Sequence, residues 1–267
     1  MKLITKDRKL QRLLKRQEIQ QLLAYFETVE EPVILREIRK QFPNQKHLDK
    51  DLEQLIDHEI ISRNERRYQF ALPIITGYPT TALAEKTIQT VSQKFSSEQI
   101  LMLIAEDYWR EELEEVVAVD FSLPTLNRME NDQFSLVTIN QGDALPETLP
   151  NYFANNERPL EFPKLSTLLG DVQPQFFMDQ IGLVLERAMA NKTPRRSSIF
   201  LDSLIQTQVV SEKGQLQLPI YSQSPSLDLN LDLDALEMET RFFLVRQIAA
   251  IALGEQASFS YLKKKKA

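Results

Sequence analysis

Cysteine is absent from this 267-residue chain, which removes disulfides, thiolate metal sites and cysteine nucleophiles together. Histidine is almost as scarce. His47 and His58 fall in one predicted helix, where their side chains would point about 20° apart but roughly three turns from each other. They cannot share a metal ion. Each reads as a surface or capping residue, with His58 near the helix end, where its cation complements the dipole. The six glycines, at 77, 142, 170, 182, 214 and 254, are nowhere close enough for a phosphate-binding loop or a dinucleotide fingerprint. No Gly-x-Ser-x-Gly nucleophile elbow occurs. No run of about 18 apolar residues is present, so no membrane insertion is expected. The opening residues, Met1 to Lys9, turn charged too early for the apolar core of a secretory signal. A cytoplasmic location is therefore the default expectation.

What is there is ordinary for a globular protein: 42% hydrophobic and 26% charged residues, in a length that suggests two domains. The net charge of −6 hides an asymmetry. Residues 1 to 70 carry 15 Lys/Arg against 12 Asp/Glu, whereas residues 71 to 262 stand at −13. An acidic body on a mildly basic head repels nucleic acid overall, so any DNA contact would have to be local.

The first helix is predicted over Asp7 to Glu27. Leu10, Leu13 and Leu14 form one apolar set and Ile19, Leu22, Leu23 and Phe26 another, each at helical spacing. The step from Leu14 to Ile19 slips the stripe, which implies a bend near Arg16-Gln17 or an arm that packs separately. Lys9, Arg12, Lys15 and Arg16 populate the polar side, as a solvated surface or as an arm touching phosphate or a partner. A short strand, Val33 to Leu35, leads into a second helix with Leu35, Ile38 and Phe42, stopped by Pro43. Asn44 is the expected N-cap of a third helix, Lys46 to Ile60, whose Leu48, Leu52, Leu55 and Ile56 build one buried face. Two strands around Asn64-Glu65-Arg66 follow, with Tyr68, Phe70 and Leu72 on one face of the second. Strand, helix, turn, helix, hairpin is the order of a winged helix-turn-helix.

Pro73 to Pro79 breaks the periodicity, so the domain boundary is placed there: a winged-helix-like domain over 1–74, an acidic α+β domain over 79–262, and a basic tail over 263–267. Helices are expected at Thr81 to Lys94 and, capped by Ser96-Ser97-Glu98, from there to about Glu115. Val116 to Phe121 and Phe134 to Ile139 read as strands, and Asn140 to Pro163, with four prolines, as loop. Further helices are expected at Leu165 to Leu169, Pro174 to Asn191, Ser197 to Ile205 and Ala235 to Leu253. A hairpin is expected around Ser211 to Gly214, and a strand where Leu227, Leu229, Leu231 and Leu233 alternate with polar residues. Lys263 to Lys266 read as a frayed, solubilising tail.

Few constellations carry chemistry. Asp228, Asn230, Asp232, Asp234 and Glu239 match the ligand spacing of a calcium loop, but Leu233 stands where the sharp turn needs glycine, and strand alternation explains the pattern better. The acid pairs Glu111-Glu112 and Glu114-Glu115 suit a solvated helix end. Neither metal, cofactor nor catalytic residue is expected, and the chain is expected not to be an enzyme. The candidate contacts lie in the head: Arg63, Arg66 and Arg67 of the wing, Lys46 and Lys50 of the third helix, and Arg12 and Arg16 of the first. Wing arginines clamp phosphates without reading sequence. The third helix, which in DNA-reading members enters the groove, carries a net −3 over residues 44–59, with Asp49, Glu53 and Asp57 as an acidic stripe.

The segment Leu35-Arg36-Glu37-Ile38, His47-Leu48-Asp49, Leu55-Ile56, Ile60 to Asn64, Arg67-Tyr68 and Ala71-Leu72-Pro73 resembles an uncharacterised bacterial family, domain of unknown function 1803. The resemblance implies a bacterial cytoplasmic protein with a winged-helix-like head and supplies no activity or catalytic residue. The expected fold is α+β and mainly helical: an N-terminal winged-helix-like domain, then a larger helical domain with small antiparallel sheets. The expected role is a macromolecule-binding or adaptor protein whose partner is protein rather than DNA. A DNA-binding transcriptional regulator using the wing arginines is the alternative.

Overall fold

The structure, a computed structural model, describes residues 1–109, 113, 115–155, 158–192, 196–221 and 233–265. It has a mixed α+β fold with small sheets and divides into two interleaved units. The first comprises residues 1–81, 110–122 and 233–244; the second comprises residues 82–109, 123–232 and 245–267.

The first unit opens with β1 (Lys2–Ile4), then α1 (Arg8–Leu14) and α2 (Gln17–Thr28). Asp7 caps α1, its carboxylate accepting from the Lys9 and Leu10 N–H groups at 2.7 and 3.3 Å. The slipped stripe becomes a real break. Arg16 adopts an extended backbone between the helices, which lets Leu10 and Leu13 join Ile19, Leu22, Leu23 and Phe26 in one core. β2 (Val33–Ile34) and α3 (Leu35–Gln41) follow, with the Glu37 carboxylate accepting from the Ile34 N–H at 3.2 Å.

α4 (Leu48–Asp57) starts later than expected, and Asn44 is not its cap. His47 holds the N-cap position without a side-chain cap bond, because the chain turns once more after Pro43, where the Gln45 N–H bonds the Phe42 carbonyl. Leu48, Leu52 and Leu55 face the core as their spacing requires, and His58 ends the helix. β3 (Ile61–Asn64) and β4 (Arg67–Phe70) form a hairpin, and β2 pairs with β4 to give an antiparallel sheet ordered β2-β4-β3. A second sheet has β6 (Val117–Val119) at its centre, antiparallel to β1 and parallel to β5 (Ile74–Ile75).

The second unit contains α5 (Thr81–Val91) and α6 (Ser97–Leu103), the latter opened by a reciprocal cap between Ser96 and Gln99. The helix then widens into one π turn, Ile104–Tyr108, and ends there rather than near Glu115. A four-stranded sheet is ordered β7 (Thr125–Glu130), β8 (Phe134–Asn140), β10 (Ser258–Lys264), β9 (Ile220–Tyr221), with β9 parallel to β10 and the rest antiparallel. Between β8 and β9 run α7 (Leu149–Ala154), α8 (Pro163–Leu169), α9 (Pro174–Met189) and α10 (Ile199–Gln206). α11 (Met238–Leu253) precedes β10. One face of the sheet, with Met129, Phe134, Leu136 and Leu262, packs in a core with Tyr152, Phe162, Phe177, Ile181 and Leu185 of α7 to α9.

Four further expectations are revised. β7 stands where no element was expected. The proline-rich stretch from Asn140 holds α7, because Pro150 sits in its first turn, where a missing N–H is harmless. The hairpin around Gly214 reduces to a single bridge, Val210 to Leu216. Lys263 and Lys264 are not a frayed tail but the end of β10. The leucine-alternating stretch to Asp232, most of the calcium-loop pattern and the acids Glu111, Glu112 and Glu114 lie outside the described residues.

Candidate functional site

The basic residues singled out in the head divide into engaged and exposed groups. Arg16, at the α1–α2 break, belongs to the fold. Its Nη1 lies 2.9 Å from Oδ1 of Asp51 on α4, whose side chain is 1% exposed. Gln45 donates to the other carboxylate oxygen at 2.7 Å. Asp51 is thus a buried tie between α4 and the helix break, and it holds the half-exposed Arg16. Arg12, Lys46 and Lys50 are exposed. Lys46 and Lys50 border a depression of about 410 Å³ at the α3–α4 turn together with Arg39, and Arg39 pairs with Asp49 at 2.6 Å.

The hairpin arginines are all exposed. Arg63 lies over the Tyr68 ring at 5.4 Å, and Arg67 donates to the Pro32 carbonyl at 3.1 Å, so both are steadied from behind. Arg66 stands at the tip. Glu65 and Arg66 form the two-residue turn with φ of +49° and +63°, a left-handed pair ordinarily given to Asn-Gly. Beside this, α4 presents Asp49, Glu53 and Asp57 to solvent, as its sequence predicts. The hairpin is therefore cationic and the exposed face of α4 anionic.

A second polar centre, in the other unit, was not foreseen from sequence. The π turn carries Glu106, whose side chain is 3% exposed. Three donors from the sheet converge on its carboxylate. These are the Tyr261 hydroxyl at 2.6 Å, the Arg128 guanidinium at 2.9 Å and the Lys263 ammonium. Register explains the convergence. Arg128 of β7 lies opposite Val137 of β8, which lies opposite Tyr261 of β10, and Lys263 follows two residues on, so all share one face. Arg128 also donates to Ser135 Oγ at 3.2 Å and to the Ala105 carbonyl at 3.3 Å. Tyr221 of β9, opposite Lys263, sets its ring 5.5 Å from that ammonium.

The electrostatics follow from this packing. Burial alone would raise the Glu106 pKa, but the bonds from Lys263, Tyr261 and Arg128 outweigh it and hold the carboxyl below its usual range. Burial, then hydrogen bonding to Glu106, drives the Tyr261 phenol far above the usual range. Burial beside Asp107 and Glu106 pushes Tyr221 up to about 12. A carboxylate this fully satisfied is fixed as an anion, which suits a structural tie rather than a proton carrier. The only sequence signal was the Tyr261-x-Lys263 spacing, which runs from the acidic domain into the segment read as a tail. Among the described residues, no group of three or more His, Asp or Glu side chains could hold a metal ion, and no helix is long and apolar enough to cross a membrane.

No curated protein and no solved structure matches the chain. Over residues 2–104, however, it matches the family model described as Domain of unknown function (DUF1803), the family that its head segment resembles in sequence.

Proposed function

We propose that this chain is a non-enzymatic macromolecule-binding protein, an adaptor, whose winged-helix-like head engages protein rather than DNA. The winged-helix reading is supported by the order β2-α3-α4-β3-β4 and by the strand order β2-β4-β3, which brings the first strand beside the last. The observation that carries the protein-binding reading is the exposed carboxylate row of α4, Asp49, Glu53 and Asp57. A helix entering a groove would bring these three groups within a Debye length of about 10 Å of phosphates. Arg39 offsets Asp49, with which it pairs at 2.6 Å, and Arg16 is engaged by the buried Asp51, which leaves Glu53 and Asp57 as the anions such a helix would carry toward phosphate.

One observation favours DNA as the second reading. The turn at Glu65-Arg66 holds Arg66 at the tip of a cationic hairpin in a strained backbone, and such strain often marks a contact site. Fluorescence anisotropy of a labelled duplex, titrated with full-length protein at low and near-physiological salt, separates the two. The adaptor reading expects no binding at either salt, and expects an Asp49→Lys/Glu53→Lys/Asp57→Lys variant to gain salt-sensitive binding. Micromolar binding by the native chain, lost with Arg63→Ala/Arg66→Ala/Arg67→Ala, would overturn it in favour of a regulator.

A further inference from the structure

The edge of the β7-β8-β10-β9 sheet is only half closed. Just beyond the two ends of β10, the carbonyl of Ala257 accepts from the Gln141 N–H and the N–H of Lys265 donates to the Gln133 carbonyl, so odd-numbered residues of the strand direct their backbone toward β8. The even-numbered ones point outward. Leu262 does so, donating to the Pro219 carbonyl at 3.0 Å as β9 begins. Ser258 and Ser260 point the same way, yet β9 pairs only with Leu262 and Lys263. The chain before β9 has already turned aside, because the Gln217 N–H is bonded to the Val209 carbonyl at 2.9 Å and Leu216 bridges Val210. No acceptor for the Ser258 or Ser260 N–H occurs among the described residues.

The gap between the diverging segments is a cleft of about 510 Å³, within the range of about 300–1,000 Å³ that ligand sites occupy. Thr148, Gln206, Gln208 and Gln217 line it together with the two serines and the exposed Lys164, so amides and hydroxyls make up most of its polar wall. Its one carboxylate, Glu147, already accepts from the Leu165 N–H at 2.8 Å. The floor is pre-organised. The Thr138 hydroxyl bridges Thr148 and Ser260 at 3.1 and 2.9 Å, and behind it Asn140 and Asn151, both fully buried, exchange side-chain amide bonds at 3.0 and 2.8 Å. Gln208 stands just past α10 with φ of +57°, where glycine is the ordinary choice, so a strained residue contributes an amide to the cleft.

We propose that this cleft binds a short extended segment of another protein, which pairs with Ser258 and Ser260 as an added strand in line with β9. The occupant follows from the edge itself. Two outward residues offer paired N–H and C=O groups about 6.8 Å apart, the repeat of an extended peptide and of no small sugar. The glutamines and threonine of the walls can hydrogen-bond polar side chains of such a segment. This site is separate from α4 of the first unit, and its fate does not decide that of the head.

Amide NMR of the isotopically labelled full-length protein tests the proposal, with acetyl-Thr-Gln-Thr-Gln-amide as probe. An analogue N-methylated at alternate residues and the disaccharide maltose serve as comparison probes. The capped peptide is expected to shift the Ser258 and Ser260 amides and slow their exchange. The N-methylated analogue should bind at least about tenfold more weakly, as loss of backbone pairing requires. A Gln208→Gly variant should melt at higher temperature yet bind the peptide less well, which separates recognition from folding. No change at millimolar peptide, equal binding by the N-methylated analogue, or shifts with maltose alone would each overturn the proposal.

Discussion

A carboxyl group as buried as Glu106 would normally take up a proton, since burial disfavours its charged form. It stays ionised because a phenol, a guanidinium and an ammonium reach it at once, and removing it leaves two cations facing each other across a half-closed sheet face. Glu106→Gln is expected to destabilise the protein by roughly 2 kcal/mol, less than the ~3–5 kcal/mol of a fully buried broken pair because Arg128 and Lys263 keep partial solvent access. Urea unfolding would measure it. The folded pKa of Glu106 lies below its ordinary 4.5. Its stabilisation is therefore complete above that value and lost as pH falls through the lower, folded one. Glu106→Gln should accordingly flatten the acid limb of the stability profile. The phenols act with opposite sign. Tyr221 and Tyr261 titrate above their ordinary 10 when folded, so their contribution is full below pH 10; that of Tyr221 is lost as pH rises through about 12, and that of Tyr261 only at still higher pH. A Tyr221→Phe/Tyr261→Phe variant should show a shallower alkaline limb.

At the scale of elements, the β3–β4 hairpin keeps a turn that its residues do not favour. Glu65 and Arg66 both carry a Cβ into the left-handed region, where L-residues are disfavoured by roughly 1–2 kcal/mol each. Replacing them by Asn-Gly is expected to stabilise the protein by about 1 kcal/mol, read from the urea midpoint; an unchanged midpoint would mean that the turn is not strained. The neighbouring helices were legible in sequence because their burial is one-sided. Leu48, Leu52 and Leu55 on α4 and Ile19, Leu22, Leu23 and Phe26 on α2 are spaced as a helix demands. β7 was not, because both of its faces are covered, one by the helical core through Met129 and the other by the Arg128 centre, so no alternation shows. α7 was hidden by its own start signal, the proline taken as a breaker. α8 and α9 begin the same way, with Pro163 and Pro174. The cationic hairpin and acidic α4 face could be read from local sequence. The Glu106 centre could not, because its members lie as far apart as residues 106 and 263 and meet only through strand register.

The interleaving of the two units is a property of the whole chain that no local pattern announces. Between Pro73 and Pro79 the sequence looks like a linker, yet β5 lies within it and pairs with β6, which begins some forty residues later at Val117. β6 is three residues long and central in its sheet, so β1 and β5 depend on a segment that a cut after the apparent linker would discard. The core of α2, α4 and the β3–β4 hairpin does not depend on it in the same way, since its residues lie within 1–72 except for Val116 at its margin. A fragment of residues 1–81 should therefore keep that core while losing the β1-β6-β5 sheet. Hydrogen exchange would show this as protected amides at Ser62 and Tyr68, whose N–H groups point into the β2-β4-β3 sheet, but rapid exchange at Ile4 and Ile75, whose N–H groups point at β6, both slower in the full chain. Equal protection of Ile4 and Ile75 in the fragment would mean that β1 and β5 hold without β6, and that the head is complete in its first 81 residues.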